Sequence, residues 1–344
     1  LFLLQKREEN ELSQAFTAYN TRIVAPPHGS MLPMSPVRKN ILMVACALGL
    51  LIPVVIIFIC ENMNTRVRGR KDLESVTVPF IGEIPLFTRK KKGIFRKKPQ
   101  EVRAIVVKEG SRDIINEAFR VLRTNLEFMT GKDKASNVII VTSFNPGSGK
   151  SFLTMNIAVS FAIKGKKVLV IDGDLRHGSA SSYIDSPTKG LSDYLGGRID
   201  NLNEIIVTNP KQKYLDILPV GTIPPNPTEL LFDDRLKQVI DTVREQYEYV
   251  LIDCPPIELV ADTQIIEKLA DRTIFVVRAG LLELSMLAEL EKIYGEKKYK
   301  NMSLILNGTE GSGGRYGYRY GYRYGYHYGY GSEYHYGSDE KYIE

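Results

Sequence analysis

Residues 138–151 read VIIVTSFNPGSGKS, and the stretch FLTMNIAVSFAI follows at 152–163. VIIVT is short, branched and continuously apolar, the pattern of a strand buried on both faces, and the twelve residues after the loop are long enough for a helix. Between them lies a loop in which successive amides can turn inward on a phosphate only if glycine frees the backbone. Gly147 and Gly149 supply that freedom, with Asn145, Pro146 and Ser148 completing the cradle. Lys150 can reach the β- and γ-phosphates, and Ser151 offers a hydroxyl to Mg²⁺. Phe144 stands where the GxxxxGK[ST] pattern has its first glycine, and the strand–loop–helix context carries the reading past that departure.

Working outward, further apolar runs occur at KVLVID (167–172), YLDILPV (214–220), YVLID (249–253), TIFVV (273–277) and MSLILN (302–307). Several are separated by stretches long enough for helices, so the class is α/β, with a mostly parallel sheet covered on both faces. Ligands in such sheets bind at the C-terminal strand ends, and two more motifs fall there. In VLVIDGDLR, Asp172 and Asp174 can both face a nucleotide once the strand opens into a loop. One can hold Mg²⁺ or its water while the other orients or deprotonates an incoming hydroxyl. A tyrosine hydroxyl has a reference pKa of ~10 against ~3.9 for Asp, so its proton would leave in concert with phosphoryl transfer. In YVLIDCPP, Asp253 ends a second buried strand in a Walker B arrangement, bonding to the Mg²⁺ shell. Together the three motifs predict a nucleoside triphosphate and Mg²⁺.

The chain has 344 residues and a formal net charge of +6, is 43% hydrophobic, and carries three cysteines. That excludes a wholly disordered chain, a collagen-like repeat and a disulfide-stapled miniature. Neither Cys46, Cys60 nor Cys254 has the spacing of a metal site. Residues 41–60, ILMVACALGLLIPVVIIFIC, hold no charge and are long enough to cross a hydrocarbon core of ~30 Å as one helix. Eleven Lys/Arg against three acids in 66–98, but only Arg22, Arg38 and Lys39 in 21–40, put the C-terminal side in the cytoplasm. The basic run at 89–98 lacks interleaved aromatics, which points it to anionic headgroups rather than nucleic acid. Residues 1–27 read as the end of a polar amphipathic helix stopped by Pro26 and Pro27. The initial Leu-Phe-Leu-Leu reads as a chain continued or trimmed upstream. The expected organisation is an extracytoplasmic helical end (1–40), a transmembrane helix (41–60), a basic juxtamembrane linker (61–100), a cytoplasmic domain (101–309) and a tail (310–344).

That tail, EGSGGRYGYRYGYRYGYHYGYGSEYHYGSDEKYIE, holds eleven of the 19 tyrosines, with glycine at every fourth residue across 317–329. With so little apolar surface to offset the entropy of ordering, it reads as low-complexity and disordered. Tyr316, Tyr318, Tyr320, Tyr322, Tyr324, Tyr326, Tyr328, Tyr330, Tyr334, Tyr336 and Tyr342 are candidate phosphoacceptors, the alternative being a self-associating or base-stacking tail. In SRDIINEAFRVLRTNLEFM (111–129), apolar residues recur at three and four, which predicts a helix. Glu117, Arg120 and Arg123 share one of its flanks, placed either for an intrahelical ion pair or for a neighbouring subunit.

SFNPGSGKS, VLVIDGDLR, VLIDCPP, the NEAFRVLR helix, VPFIGEIP after the apolar run and the tyrosine cluster together resemble the bacterial tyrosine kinases (BY-kinases), the polysaccharide co-polymerases of capsule and exopolysaccharide export. The resemblance covers the chain from about residue 41 onward. It implies a P-loop NTPase fold of the deviant-Walker, MinD/ParA-like kind, in the bacterial inner membrane, using ATP and Mg²⁺. By the same resemblance Lys150, Asp172 and Asp174 are catalytic, with Asp172 activating the acceptor. Asn145, Pro146, Gly147, Ser148, Gly149, Lys150, Ser151 and Arg176 bind the nucleotide, and Ser151, Asp172 and Asp253 bind the metal. Glu117, Arg120 and Arg123 form an E-x-x-R-x-x-R interface closing a ring of eight subunits, in which one subunit's tail enters its neighbour's site. A polysaccharide polymerase, an outer-membrane export channel and a cognate tyrosine phosphatase are the implied partners. The related partition and division-site ATPases carry a lysine early in the loop, where this chain has Phe144 and Asn145. The other reading is a membrane-tethered ATPase whose tail docks without being phosphorylated.

Overall fold

The computed structural model describes residues 2–16, 29, 37–63, 65–87, 104–130, 137–209, 212–257 and 261–309. The basic run 89–98 and the tail with its eleven candidate tyrosines lie outside the described residues, as do Pro26 and Pro27. The chain divides into two compact units, residues 1–64 and 65–344.

In the first unit, α1 spans Phe2–Phe16 and α2 spans Arg38–Asn62, with Pro53 inside α2. Residues 38–59 have a mean hydropathy of 3.0 and none of that stretch is buried. α2 is therefore long and apolar enough to cross a membrane, as the 41–60 run predicts, and runs a few residues further at each end.

The second unit is built on one sheet. In chain order its elements are β1 (Phe80–Pro85), α3 (Ile114–Thr130), β2 (Val138–Thr142), α4 (Lys150–Ile163), β3 (Val168–Asp172), α5 (Leu191–Leu195), β4 (Val207–Thr208), β5 (Leu215–Leu218), α6 (Pro227–Leu231), α7 (Asp234–Gln246), β6 (Tyr249–Asp253), α8 (Asp262–Glu267), β7 (Arg272–Arg278), α9 (Met286–Gly295) and β8 (Ser303–Thr309). The strands lie in the order β1-β8-β7-β2-β6-β3-β5-β4. Neighbours are parallel except β4 and β5.

Alternate residues of the central strands go to opposite faces. Val138, Ile140, Leu169, Ile171, Val250 and Ile252 pack with Leu236 and Val239 of α7 and Leu290 of α9. Ile139, Val141, Val168, Val170 and Leu251 pack with Leu122 and Leu126 of α3 and Leu153 and Ile157 of α4. Both faces being covered is why these strands read as unbroken apolar runs. In this unit every expected strand forms within two residues of its expected ends, and the helices expected over 111–129 and 152–163 form within three.

The boundary at the front of this unit differs from the sequence reading. Part of the stretch taken as linker belongs to the sheet: β1 pairs with β8, and its Ile81 and Ile84 are buried against α3. Thr65 and Val67 bond the backbone of Leu284, Leu282 and Gly280. Basic composition hid this, because the charges flank VPFIGEIP while its own apolar positions face inward.

Candidate functional site

β2, β3 and β6 are adjacent and parallel, so their C-terminal ends bring the three motifs to one place without any long-range search by the side chains. Val141 lies opposite Asp253, and Asp253 opposite Asp172.

The loop after β2 turns on two left-handed glycines, Gly147 (φ 75°) and Gly149 (φ 87°). Gly149 is the N-cap of α4, so Lys150 and Ser151 begin the helix, where free amides and the helix dipole favour an anion. Ser143 and Ser148 hydroxyls both donate to the Asn145 carbonyl at 2.8 Å, which closes the loop on itself. Buried Lys150 donates its Nζ to Ser143 Oγ at 3.3 Å. Phe144 is buried and meets Phe275 of β7 edge-to-face, centroids 4.9 Å apart. The residue that breaks the glycine pattern thus anchors the loop to the core.

Asp172 and Asp253 are both essentially inaccessible. Asp172 Oδ2 accepts from the Ser181 amide (2.6 Å) and hydroxyl (2.7 Å), whereas its Oδ1 has no partner, and Asp253 Oδ1 has none either. Burial, and then the Asp253 charge, push Asp172 well above the usual carboxylate range. Burial raises Asp253 too, opposed by a hydrogen bond from Ser151 and by the Lys150 charge. Two adjacent buried carboxylates cannot both stay charged cheaply without a proton or a cation between them. Two orphaned acceptor oxygens beside a helix-opening hydroxyl fit Mg²⁺, which takes a few hard oxygens from protein and the rest from phosphate and water. Among the described residues no cluster of three or more His, Cys, Asp or Glu forms an all-protein cage.

Asp174 is spent differently. Its Oδ1 accepts from the amides of Arg176 and His177 at 3.2 Å, capping its own turn. Arg176 donates Nε to Asp262 Oδ2 (3.1 Å) and an Nη to Thr228 Oγ1 (2.9 Å), and that hydroxyl donates to Asp262 Oδ1 (2.6 Å). The Arg176 guanidinium is thus held by α6 and α8. Cys254 is buried, and burial with the Asp253 charge raises its thiol, so it is inert packing.

On α3, Glu117 and Arg120 pair within the helix, and Arg120 also donates to the Ser111 carbonyl at 2.8 Å. Arg123 donates to the Ser160 carbonyl on α4 at 2.7 Å.

Sequence reasoning missed Asn307, whose Nδ2 donates to the Ser148 carbonyl at 2.8 Å and supports the phosphate loop from β8. A polar residue ending the run MSLILN was the available signal, the same one that marks Asp172 and Asp253. It also missed Ser181 and Asp262, which carry no motif.

Residues 136–304 match a family model described as an AAA domain. The tyrosine-protein kinase etk of Escherichia coli K12 is 31% identical over 293 residues, 82% of this chain and 40% of that protein. A protein of Klebsiella pneumoniae, named for a tyrosine-protein kinase in the cps region, is 28% identical over 282 residues, 80% of this chain and 39% of its own length. The solved BceF tyrosine kinase domain is 30% identical with a TM-score of 0.59, covering 71% of this chain and 99% of that domain. The chain spans about two fifths of the length of the curated relatives it matches.

Proposed function

Because this chain belongs to the bacterial tyrosine kinases, we propose that it is an ATP-dependent protein-tyrosine autokinase acting on the tyrosine-rich tails of neighbouring subunits. The observation that carries the reading is the pair of buried, unpartnered oxygens on Asp172 and Asp253 beside the phosphate loop. A protein keeps such groups open at a cost in stability, which points to use.

The amides around Gly147–Gly149 and the Lys150 ammonium would bind and orient the triphosphate. Ser151, Asp172 and Asp253 would hold Mg²⁺, which when bound neutralises phosphate charge. In transfer, the tyrosine Oη forms a bond to the γ-phosphorus as the bond to the ADP oxygen breaks, and Asp172 Oδ1 takes the phenolic proton. A phenol is a far weaker acid than a carboxyl group, so that proton leaves in concert with phosphoryl transfer. Phosphates added to the tail repel the triphosphate in the neighbouring site and release the tail.

The apolar helix would anchor the chain in the inner membrane, with residues 65–309 as the cytoplasmic kinase unit. Glu117, Arg120 and Arg123 would form the contact between subunits. Regulation of capsule or exopolysaccharide assembly is the role this family membership supports.

The test is incubation of the purified full chain with Mg·ATP, followed by intact and peptide mass spectrometry, with Lys150→Ala as control. Multiple HPO₃ additions confined to residues 316–342, absent in the control, are expected. ATP consumption with an unmodified tail would replace the kinase reading with a tethered ATPase.

A further inference from the structure

Ser181, which opens a short 3₁₀ turn at Ser181–Ile184, lies nine residues beyond Asp172 and belongs to none of the nucleotide motifs. It is 3% exposed. Its amide and its hydroxyl both meet the same oxygen, Asp172 Oδ2. The hydroxyl oxygen is met in turn by the amide of Val220, just after β5, at 2.9 Å.

These contacts determine where the protons lie. A serine hydroxyl has one hydrogen to give. The Val220 N–H can only donate, so it uses the Ser181 oxygen as acceptor, and the Ser181 hydrogen is left for Asp172. Two donors therefore converge on Oδ2 and occupy it as an acceptor. What remains to the carboxylate is Oδ1, the buried atom without a partner. Two hydrogen bonds on one oxygen also stop the carboxylate from rotating and exchanging its two oxygens. The local structure has little slack: the Gly178 amide donates to the Asp174 carbonyl at 2.9 Å, the Ser182 amide to the Gly178 carbonyl at 3.3 Å, and the Val220 carbonyl accepts from the Ser192 amide at 2.9 Å.

We propose that Ser181 is a positioning residue: by holding Asp172 Oδ2 from two sides, it dedicates Oδ1 to the metal and to the acceptor proton. The inference rests on the assignment of Asp172 to the reacting centre. A serine used only to pair the Val220 amide would affect folding and nothing else, so the two roles separate experimentally.

The experiment uses the full detergent-solubilised chain and the variants Ser181→Ala, Ser181→Cys and Asp172→Asn. Initial tail phosphorylation is measured against ATP. Separately, the melting temperature with ADP is followed as Mg²⁺ is titrated, which reads metal binding without turnover. For Ser181→Ala, kcat is expected to fall about tenfold or more, with KM for ATP within about twofold. The Mg²⁺ midpoint should rise severalfold. Ser181→Cys, nearly isosteric but a weak donor, should move the same way if the alanine variant does not fold. A folded Ser181 variant with a lower melting temperature but wild-type kcat and an unshifted Mg²⁺ midpoint would overturn the proposal. Full activity in Asp172→Asn would instead overturn the assignment of Asp172 on which it rests.

Discussion

Two clusters of buried polar side chains sit in the same unit and are treated in opposite ways. Where α3 and α4 meet residues 104–108, Asn156 accepts from the amides of Val106 (2.7 Å) and Val107 (3.2 Å) and donates to the carbonyls of Ala104 (3.2 Å) and Phe152 (2.8 Å). Asn116 is as fully used, accepting from the Lys108 amide and donating to Asp113. At the ends of β3 and β6, by contrast, the carboxyl groups of Asp172 and Asp253 are equally buried, yet each keeps one oxygen unpartnered. A neutral amide with every bond made holds a segment in place. A carboxylate denied a partner raises the energy of the resting protein and is ready to bind a cation or a proton. Between these two clusters the difference lies in hydrogen-bond satisfaction and not in burial.

Substitutions in the two clusters should therefore have opposite signs. Asp172→Asn should lower tail phosphorylation by a hundredfold or more, since general-base assistance contributes ~10²–10⁴-fold, while raising the melting temperature of the metal-free protein. Both carboxylates have folded proton affinities above their unfolded values. The folded state then holds protons that the unfolded state releases above about pH 4, so metal-free stability falls as pH rises through that window, and the fall should be shallower in Asp172→Asn. Thermal melts between pH 5 and 8 with chelator would check this, and an unchanged slope would contradict the electrostatic account. Asn156→Ala should do the reverse, losing stability by roughly 1–3 kcal/mol as backbone groups of 104–107 go unpaired, with Mg·ADP affinity retained. Denaturant melts and calorimetry would show it.

The smallest effect on folding is expected on the half-buried flank of α3 that carries Glu117, Arg120 and Arg123. The Glu117–Arg120 pair is about 40% exposed on both sides, and such helix pairs contribute ~0.2–0.5 kcal/mol. Changing Arg120 and Arg123 together to Ala removes that pair, the Arg120–Ser111 bond and the Arg123–Ser160 bond. Monomer stability should drop little while the mass of the detergent-solubilised assembly falls. An unchanged assembly mass would remove these residues from the subunit contact.

The amino-acid sequence by itself determined the α/β class, the strand ends, the glycine loop and the identity of Lys150, Asp172 and Asp253 as the chemically loaded residues. These are local facts, because strands buried on both faces must be apolar throughout, and a charged residue ending such a run announces itself. It determined equally that residues 41–60 form a helix without charge. Tertiary structure alone decided what those charged atoms face. That Asp262 and Thr228 hold Arg176 and that Asn307 supports the phosphate loop are contacts between segments far apart in the chain, and that Ser181 occupies one oxygen of Asp172 depends on how a nine-residue loop folds back; all are made by residue types common in any loop. The edge strand at 80–85 was likewise hidden, since its pairing with β8 depends on α3 covering Ile81 and Ile84. Spacing along the chain reports periodicity and loop chemistry, whereas hydrogen-bond satisfaction is a property of the packed whole.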